Sequence, residues 1–371
     1  MALQESEVVL ITGASGFLAG HLLKLLEKDK SVREIRGLDI VPRKMPFSGR
    51  KSVKLFQRDL TNPESCREIV RGVDVVFHCA AYVSYEFPVD KDQLHKNNVL
   101  ATENLINLCL EESVPRIVHC SSSEVTLQSY IKGGIVALVI YSQESKMKIP
   151  NDENRLIFGE YAASKLRAEK LILDADGSNM KNGLGTLRTT SLRPTLLYGE
   201  EDSKLVSNIL MIAKKGNYSL VRPAGAGGKQ QLTYAGNAAW ALICAKKTLK
   251  EQPEAIGGLP VTITDDTPVE DMLRFCERIT RGSRHQIKFS WTIPMWISYT
   301  LAFMMELATT YFNYFKKMPV LPRGIISYLG SVILYNRIRA SIYMDYSPIF
   351  SADEAFLASS IYYCQFLDNI E

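Results

Sequence analysis

Apolar positions along this chain follow two rhythms in alternation. Residues 8–12 are a continuous, largely β-branched run that ends at a glycine, as expected of a central parallel strand covered on both faces. Phe17, Leu18, Leu22, Leu25 and Leu26 then recur at helical spacing. Short runs at 35–39, 53–57, 73–80, 116–120 and 187–192 predict five more strands, and 261–264, after Gly257-Gly258, predicts a seventh. Between them the pattern predicts helices from Asn97 to about Glu112, from Tyr161 onward, over 203–215 and over 268–281, with a mobile loop at 223–228. Strands alternating with helices predict an α/β fold: a doubly wound, Rossmann-like parallel sheet with ligands at the carboxyl ends of its strands. The expected division is a dinucleotide-binding core at 1–200 and 228–268. A smaller substrate-binding region is expected at 201–227 and 269–371.

Residues that could do chemistry fall on that one edge. Gly13-Ala14-Ser15-Gly16-Phe17-Leu18-Ala19-Gly20 joins the first strand to a helix, so backbone N–H groups and the helix dipole are offered to a pyrophosphate. Gly13 and Gly16 let the backbone come close, and Ser15, Phe17 and Leu18 belong to the same turn; the third small position of the pattern is Ala19. Asp39 ends the second strand 19 residues after Gly20. A carboxylate there accepts hydrogen bonds from an adenosine ribose and repels a 2′-phosphate, which favours NAD over NADP, although Arg43 is close by. Asp59 and Leu60 follow the third strand at the expected adenine edge, and Ala80 follows the fourth. His78 reads as a satisfied packing residue, not a ligand. The fifth strand delivers Ser121-Ser122-Ser123.

Tyr161 and Lys165 are four apart, so they share one face of a helix. An ammonium beside a phenol favours the phenolate, which predicts a lowered tyrosine pKa and a proton acceptor for a substrate hydroxyl. Alone this spacing is weak; its weight comes from the glycine turn, Asp39 and the serines on the same edge.

Composition narrows the class. Apolar residues make up 46% of the 371 positions, enough for a large core. The 44 basic and 40 acidic side chains leave a net charge of +4, with no basic block interleaved with aromatics, so nucleic acid is not an expected partner. Seven scattered cysteines with no Cys-x-x-Cys argue for a reducing compartment and against a zinc site, and the five histidines show no ligand spacing. Residues 291–315 differ from the rest: Glu306 is their one charge, and aromatics crowd both ends. As a helix they could span about 30 Å of hydrocarbon. A carboxylate near the middle costs about 2.5–3.5 kcal/mol there, so the expectation for 288–317 is a membrane-surface, hairpin or single-span segment. A buried helix lining a pocket or a dimer contact is the alternative.

Residues 12–20 and 161–165 resemble the extended short-chain dehydrogenase/reductase family. Residues 120–125, 193–200, 234–240, 264–268 and 346–355 resemble its 3β-hydroxysteroid dehydrogenase/isomerase branch. The resemblance implies oxidation of a steroid or sterol 3β-hydroxyl with NAD, with or without double-bond isomerisation, at a membrane of the endoplasmic reticulum or mitochondrion; a homodimer is compatible with it. It assigns Tyr161 as base and Lys165 as holder of the nicotinamide ribose. Ser122, or a neighbouring serine, orients the substrate oxygen. Asn98 steadies the helix behind the site, and Pro194 lies where the chain passes the nicotinamide. A sterol-4-carboxylate dehydrogenase (decarboxylating), a reductase of another small apolar carbonyl and an NAD-sensing scaffold are the alternatives. The chain departs from the branch at 126–141, where an insertion reads as an added hairpin or an apolar lid, so that Ser122 and Tyr161 stand 39 apart.

Overall fold

The computed structural model describes residues 6–41, 52–128, 139–142, 152–312 and 321–369. The apolar runs build one parallel sheet from β1 (Glu7–Thr12), β2 (Val32–Asp39), β3 (Ser52–Gln57), β4 (Val75–His78), β5 (Arg116–Cys120), β6 (Arg188–Pro194) and β7 (Pro260–Ile263). Their order in space is β7-β6-β5-β4-β1-β2-β3. The chain therefore leaves β1 toward one side for β2 and returns to the other side for β4, which makes the β1–β4 boundary the point where connections diverge. Register fixes the same edge: Thr12 lies opposite Leu38 and His78, Cys120 opposite Leu192, and Pro194 opposite Ile263.

Helices cover both faces because each inward stripe is apolar. On one face the Phe17–Leu26 and Ala235–Glu251 helices pack together, burying Leu22, Leu26, Leu242 and Leu249 with Val9, Ile11 and Phe77. On the other, Leu105, Ile106, Leu108 and Ile172 meet Leu10, Val76 and Ile117. The Ile338–Met344 helix brings Ala340 and Met344 into the first of these cores, so this part of 269–371 belongs with the sheet and not with a separate cap. A further core of Tyr198, Leu210, Phe275, Ile333 and Tyr363 gathers much of the rest of that region. All seven cysteines are free thiols.

Several elements depart from expectation. The helix expected at Asn97 starts at Lys91, with Asp90 capping Gln93 N–H at 2.9 Å; six π-helical residues, His95–Leu100, lead into the Ala101–Glu111 helix. Trp291 lies not in a helix but in the strand Lys288–Thr292, which pairs with Ser219–Arg222; Pro294 then sets the start of a Met295–Tyr311 helix. The 223–228 loop is held by backbone bonds from Gly225 to Ile293 (2.9 Å) and from Gly228 to Leu329 (2.6 Å). Within the insertion, Val139–Ser142 is a strand, but it lies parallel to Val332–Tyr335, which pairs in turn with Lys229–Gln230. Residues 129–138 and 143–151, and Arg43, lie outside the described residues.

The Met295–Tyr311 helix is inverted in its polar residues, while Tyr299 and Ala302 also pack inward on Ile326. Ser298, Glu306 and Thr309 face the protein, whereas Trp296 (63% exposed), Leu301, Phe303, Met304 (58%), Leu307 and Tyr311 (76%) face outward. Glu306, whose charge argued against a membrane location, points inward: its carboxylate accepts Arg323 Nε at 2.6 Å and Arg323 N–H at 2.9 Å. The Arg323 guanidinium also lies 4.7 Å from the Phe303 ring centre. Among the described residues no helix is long and apolar enough to cross a membrane, so the single-span alternative finds no support in them.

Candidate active site

Gly13 follows Thr12 directly and takes φ +70°, with its N–H on the Leu38 carbonyl at 2.9 Å. A side chain there would put its Cβ 2.7 Å from the Ala80 backbone, so glycine is required where the turn crosses the exit of β4. At Gly16 a Cβ would sit 3.0 Å from the Gly13 carbonyl oxygen. Gly16 is also the N-cap of the Phe17–Leu26 helix, and no side chain caps that end. Ser15 N–H donates to the Asp39 carboxylate at 2.9 Å, and Val41 N–H to its other oxygen at 2.9 Å, which draws the acid onto the glycine turn. Phe17 packs edge-on to His21, and Leu18 is buried beneath the turn. Beyond β3 the Asp59 carboxylate accepts Thr61 N–H at 2.8 Å; Leu60 is buried, with its carbonyl held by Asn104. Gly13, Ser15, Gly16, Asp39 and Ala80 thus frame one groove. This backbone cradle suits the pyrophosphate of a dinucleotide, and Asp39 suits its adenosine ribose.

Beside the groove stands the second group. Tyr161 lies in the first turn of the Gly159–Asp174 helix and Lys165 one turn later, both buried. Lys165 Nζ donates to the Cys120 carbonyl at 2.8 Å, at the tip of β5. Ser122, two residues on, caps the short 3-10 turn Ser123–Thr126. Asn98 is buried in the π-helical stretch: its amide takes Tyr82 N–H at 2.7 Å and donates to the Tyr82 carbonyl at 3.0 Å and to Ser164 Oγ at 2.9 Å. It ties the exit of β4 to the helix that carries Tyr161. His78 bridges Thr12 and Thr102 at 2.7 and 2.9 Å, and burial holds its pKa down to about 3, so it is a neutral packing group. Pro194 is buried at the end of β6, on the same edge.

One expectation is overturned. The phenol of Tyr161 is held well above the ordinary tyrosine pKa, not below it. Burial is the largest cause, the Glu124 carboxyl and the Cys120 thiol push the same way, and the Tyr85 hydroxyl pulls it down. Helical spacing placed the two side chains on one face, but it could not show that the ammonium turns to a backbone carbonyl.

Sequence reasoning gave Glu124 no role and passed over Tyr85. Glu124 is 2% exposed; it accepts the Tyr85 hydroxyl at 2.7 Å on one oxygen and Ser122 Oγ at 3.0 Å on the other. Burial raises its pKa to about 7. The Tyr85 ring meets the Tyr161 ring edge-on at 5.1 Å. Its only signal was a position seven residues past β4. A cavity of about 550 Å³ is lined by Tyr161 and Tyr85 and by Tyr299, Glu306 and Arg323. None of the glycine-turn residues lines it, nor do Ser122 and Lys165.

A parallel doubly wound sheet with a glycine turn at the switch point and a Ser-Tyr-Lys group beside it defines the short-chain dehydrogenase/reductase class, NAD-dependent oxidoreductases. Residues 10–295 match the model of the 3-beta hydroxysteroid dehydrogenase/isomerase family, and the chain belongs to that family. In fold it is similar to a UDP-galactose 4-epimerase, at 17% identity and a TM-score of 0.65 over 96% of this chain and 99% of that one. MoeE5 in complex with UDP-glucuronic acid and NAD is similar at 19% identity and a TM-score of 0.65, over 96% and 99%. UDP-glucuronic acid 4-epimerase from Bacillus cereus in complex with NAD is similar at 18% identity and a TM-score of 0.64, over 97% and 99%.

Proposed function

We propose that this protein oxidises the 3β-hydroxyl of a steroid or sterol to the ketone with NAD and, as the family name allows, couples this to double-bond isomerisation. The observation that carries the reading is a buried Tyr161 on the wall of a cavity of about 550 Å³, a volume that suits a compact polycyclic substrate. Bound NAD supplies the hydride acceptor. The chain's own residues do the rest: the glycine turn and Asp39 hold the dinucleotide, Lys165, bonded to the Cys120 carbonyl, turns a further ammonium donor to its nicotinamide ribose when it binds, and Ser122 and Tyr161 receive the substrate oxygen. A second reading, a sterol bearing a 4-carboxylate, has Arg155, Arg167 and Arg323 on the cavity wall to meet its charge, with Arg167 already paired to Glu153 and Glu160 and Arg323 to Glu306. Oxidation at C3 would then be followed by loss of carbon dioxide.

A panel of 3β-hydroxy-5-ene steroids and 4-carboxysterols, assayed with NAD and NADP side by side and with carbon dioxide trapped, tests both readings. NADH formation from a neutral steroid is expected, with NAD preferred because of Asp39. Carbon dioxide release would favour the second reading. Dinucleotide binding with no reduction on any sterol would point to a sensing scaffold.

The reading extends to location, as an enzyme attached to the surface of an endoplasmic reticulum or mitochondrial membrane. The inverted Met295–Tyr311 helix supports it, since tryptophan, tyrosine and aliphatic side chains facing outward suit the interfacial zone, and Lys316 and Lys317 follow in the sequence. Full-length protein should float with phospholipid vesicles in a density gradient, and a Trp296→Asn/Phe303→Asn/Leu307→Asn variant should stay at the bottom. Parent protein that remains soluble without detergent and does not float would rule the surface attachment out.

A further inference from the structure

The Met295–Tyr311 helix has two faces with different neighbours. Its outer face exposes Trp296, Leu301, Phe303, Met304, Leu307 and Tyr311, an apolar stripe that suits a bilayer surface. On its inner face Tyr299 and Glu306 line the same cavity as Tyr161. Pro322, Arg323 and Gly324, where the Arg323–Leu329 helix begins, line that cavity too. The thickness of one helix, about 10 Å, therefore stands between the cavity and the apolar stripe.

The two helices are not held alike. A Cβ at Gly324 would collide with the Ile157 carbonyl oxygen, just ahead of the catalytic helix, and the Tyr328 and Phe158 ring centres lie 5.4 Å apart. The Arg323–Leu329 helix is thus seated on the catalytic framework. The start of the Met295–Tyr311 helix is also fixed: Ile293 N–H donates to the Arg222 carbonyl at 2.9 Å, and Met295 packs against Gly330. Tyr299, Ala302 and Ile326 add a small apolar cluster. Further along, the tie to the second helix is ionic. The Glu306 carboxylate accepts Arg323 Nε at 2.6 Å and Arg323 N–H at 2.9 Å, and the guanidinium lies over the Phe303 and Tyr299 rings.

We propose that the apolar substrate enters the cavity from the bilayer, between these two helices, and that the Glu306–Arg323 pair is the latch that opens to admit it. The proposal rests on the steroid and membrane readings above and deepens them by naming the route and the residues that control it.

A sterol dissolved in lipid loses free energy of transfer in proportion to its apolar surface each time it must cross water. Entry through the wall that faces the bilayer avoids that crossing. The ion pair suits the part of a latch because its two members are matched while closed and are not both stranded when open. The Arg323 side chain is 32% exposed, so its charge has a path to the headgroup region, and the two aromatic faces remain to it. The Glu306 side chain is only 10% exposed, so its carboxylate reaches water when the helix that carries it moves. With the Pro294 end anchored, that motion is a swing of the Tyr311 end away from Arg323, of the kind that gates many active sites.

A Glu306→Cys/Arg323→Cys protein tests the route, since it removes both charges together and places two thiols at the latch. Full-length protein on phosphatidylcholine vesicles is bridged with a short bifunctional methanethiosulfonate, before or after loading with a 3β-hydroxy-5-ene steroid, and dithiothreitol reverses the bridge. Parent protein treated alike controls for the native thiols. Bridged first, the variant should take up vesicle-held steroid at least about tenfold more slowly than after reduction, read as NADH formation. Loaded first, it should complete one turnover within about threefold of the unbridged rate. Equal uptake in the bridged and reduced states, or a slow first turnover in the loaded protein, would overturn the latch. Should circular dichroism show that the double variant does not fold, Glu306→Gln decides: stopped-flow association of the steroid should quicken by about threefold or more, and an unchanged rate overturns the latch. The Trp296→Asn/Phe303→Asn/Leu307→Asn variant tests the source. Its ratio of vesicle-borne to cyclodextrin-borne turnover should fall about tenfold, and an unchanged ratio would overturn entry from the bilayer. No turnover of any steroid by the parent protein would instead overturn the functional reading, and the route with it.

Discussion

Tyr161→Phe should reduce alcohol oxidation by about 10²–10⁴-fold and leave NAD binding nearly unchanged. The substitution removes one oxygen and keeps the ring, whose edge packs on Tyr85 in the interior of the site. The groove that receives the dinucleotide is built from Gly13, Gly16, Asp39 and Ala80, none of which needs the phenol. The loss should therefore appear in kcat with the dissociation constant for NAD within about threefold of the parent value. Steady-state assays paired with fluorescence titration of the dinucleotide measure both. Full turnover by the phenylalanine variant would remove Tyr161 from the chemistry and the enzyme assignment with it.

Arg193→Met should destabilise the protein by about 3–5 kcal/mol. Arg193 lies on β6 and is 2% exposed; Glu169, on the catalytic helix one turn past Lys165, is fully buried. The two exchange a forked pair of bonds at 2.9 and 2.5 Å, and Ser191 Oγ adds a third to Glu169 at 3.3 Å. Removing the guanidinium strands a carboxylate in the interior with one weak donor. The doubly substituted Glu169→Leu/Arg193→Met protein, which buries neither charge of the pair, should recover much of the loss. Urea unfolding of the parent, the single and the double variants gives the coupling. A single-variant loss below about 1 kcal/mol would mean that water reaches the pair.

The framework of the molecule could be read from its residues because the physics there is local. Continuous β-branched runs become parallel strands, and a glycine turn between strand and helix has few other uses. Tyr161 and Lys165 share a helix face by spacing alone. What escaped was set by distant neighbours. The direction of the Tyr161 pKa depends on Glu124 and on burial. The inward turn of Glu306 depends on Arg323, 17 residues further on. An apolar run reports how much hydrocarbon is present but not which side of the helix carries it, so 291–315 was overextended at its start, where Trp291 joins a strand. The 139–142 strand pairs with one nearly two hundred residues away, which no local pattern predicts.

That distant pairing bears on how the molecule assembles. Lys229–Gln230, Val332–Tyr335 and Val139–Ser142 lie side by side and parallel, and Tyr335 reaches the Ser123 carbonyl beside the catalytic turn. Closing loops of that length is entropically slow, and a ribosome delivers Val332–Tyr335 only well after the other two strands. The dinucleotide half, with its short-range connections, can fold first. The wall that keeps water from Glu124 arrives afterwards, so a nascent chain gains its grip on the nucleotide before it gains a dry place in which to use it.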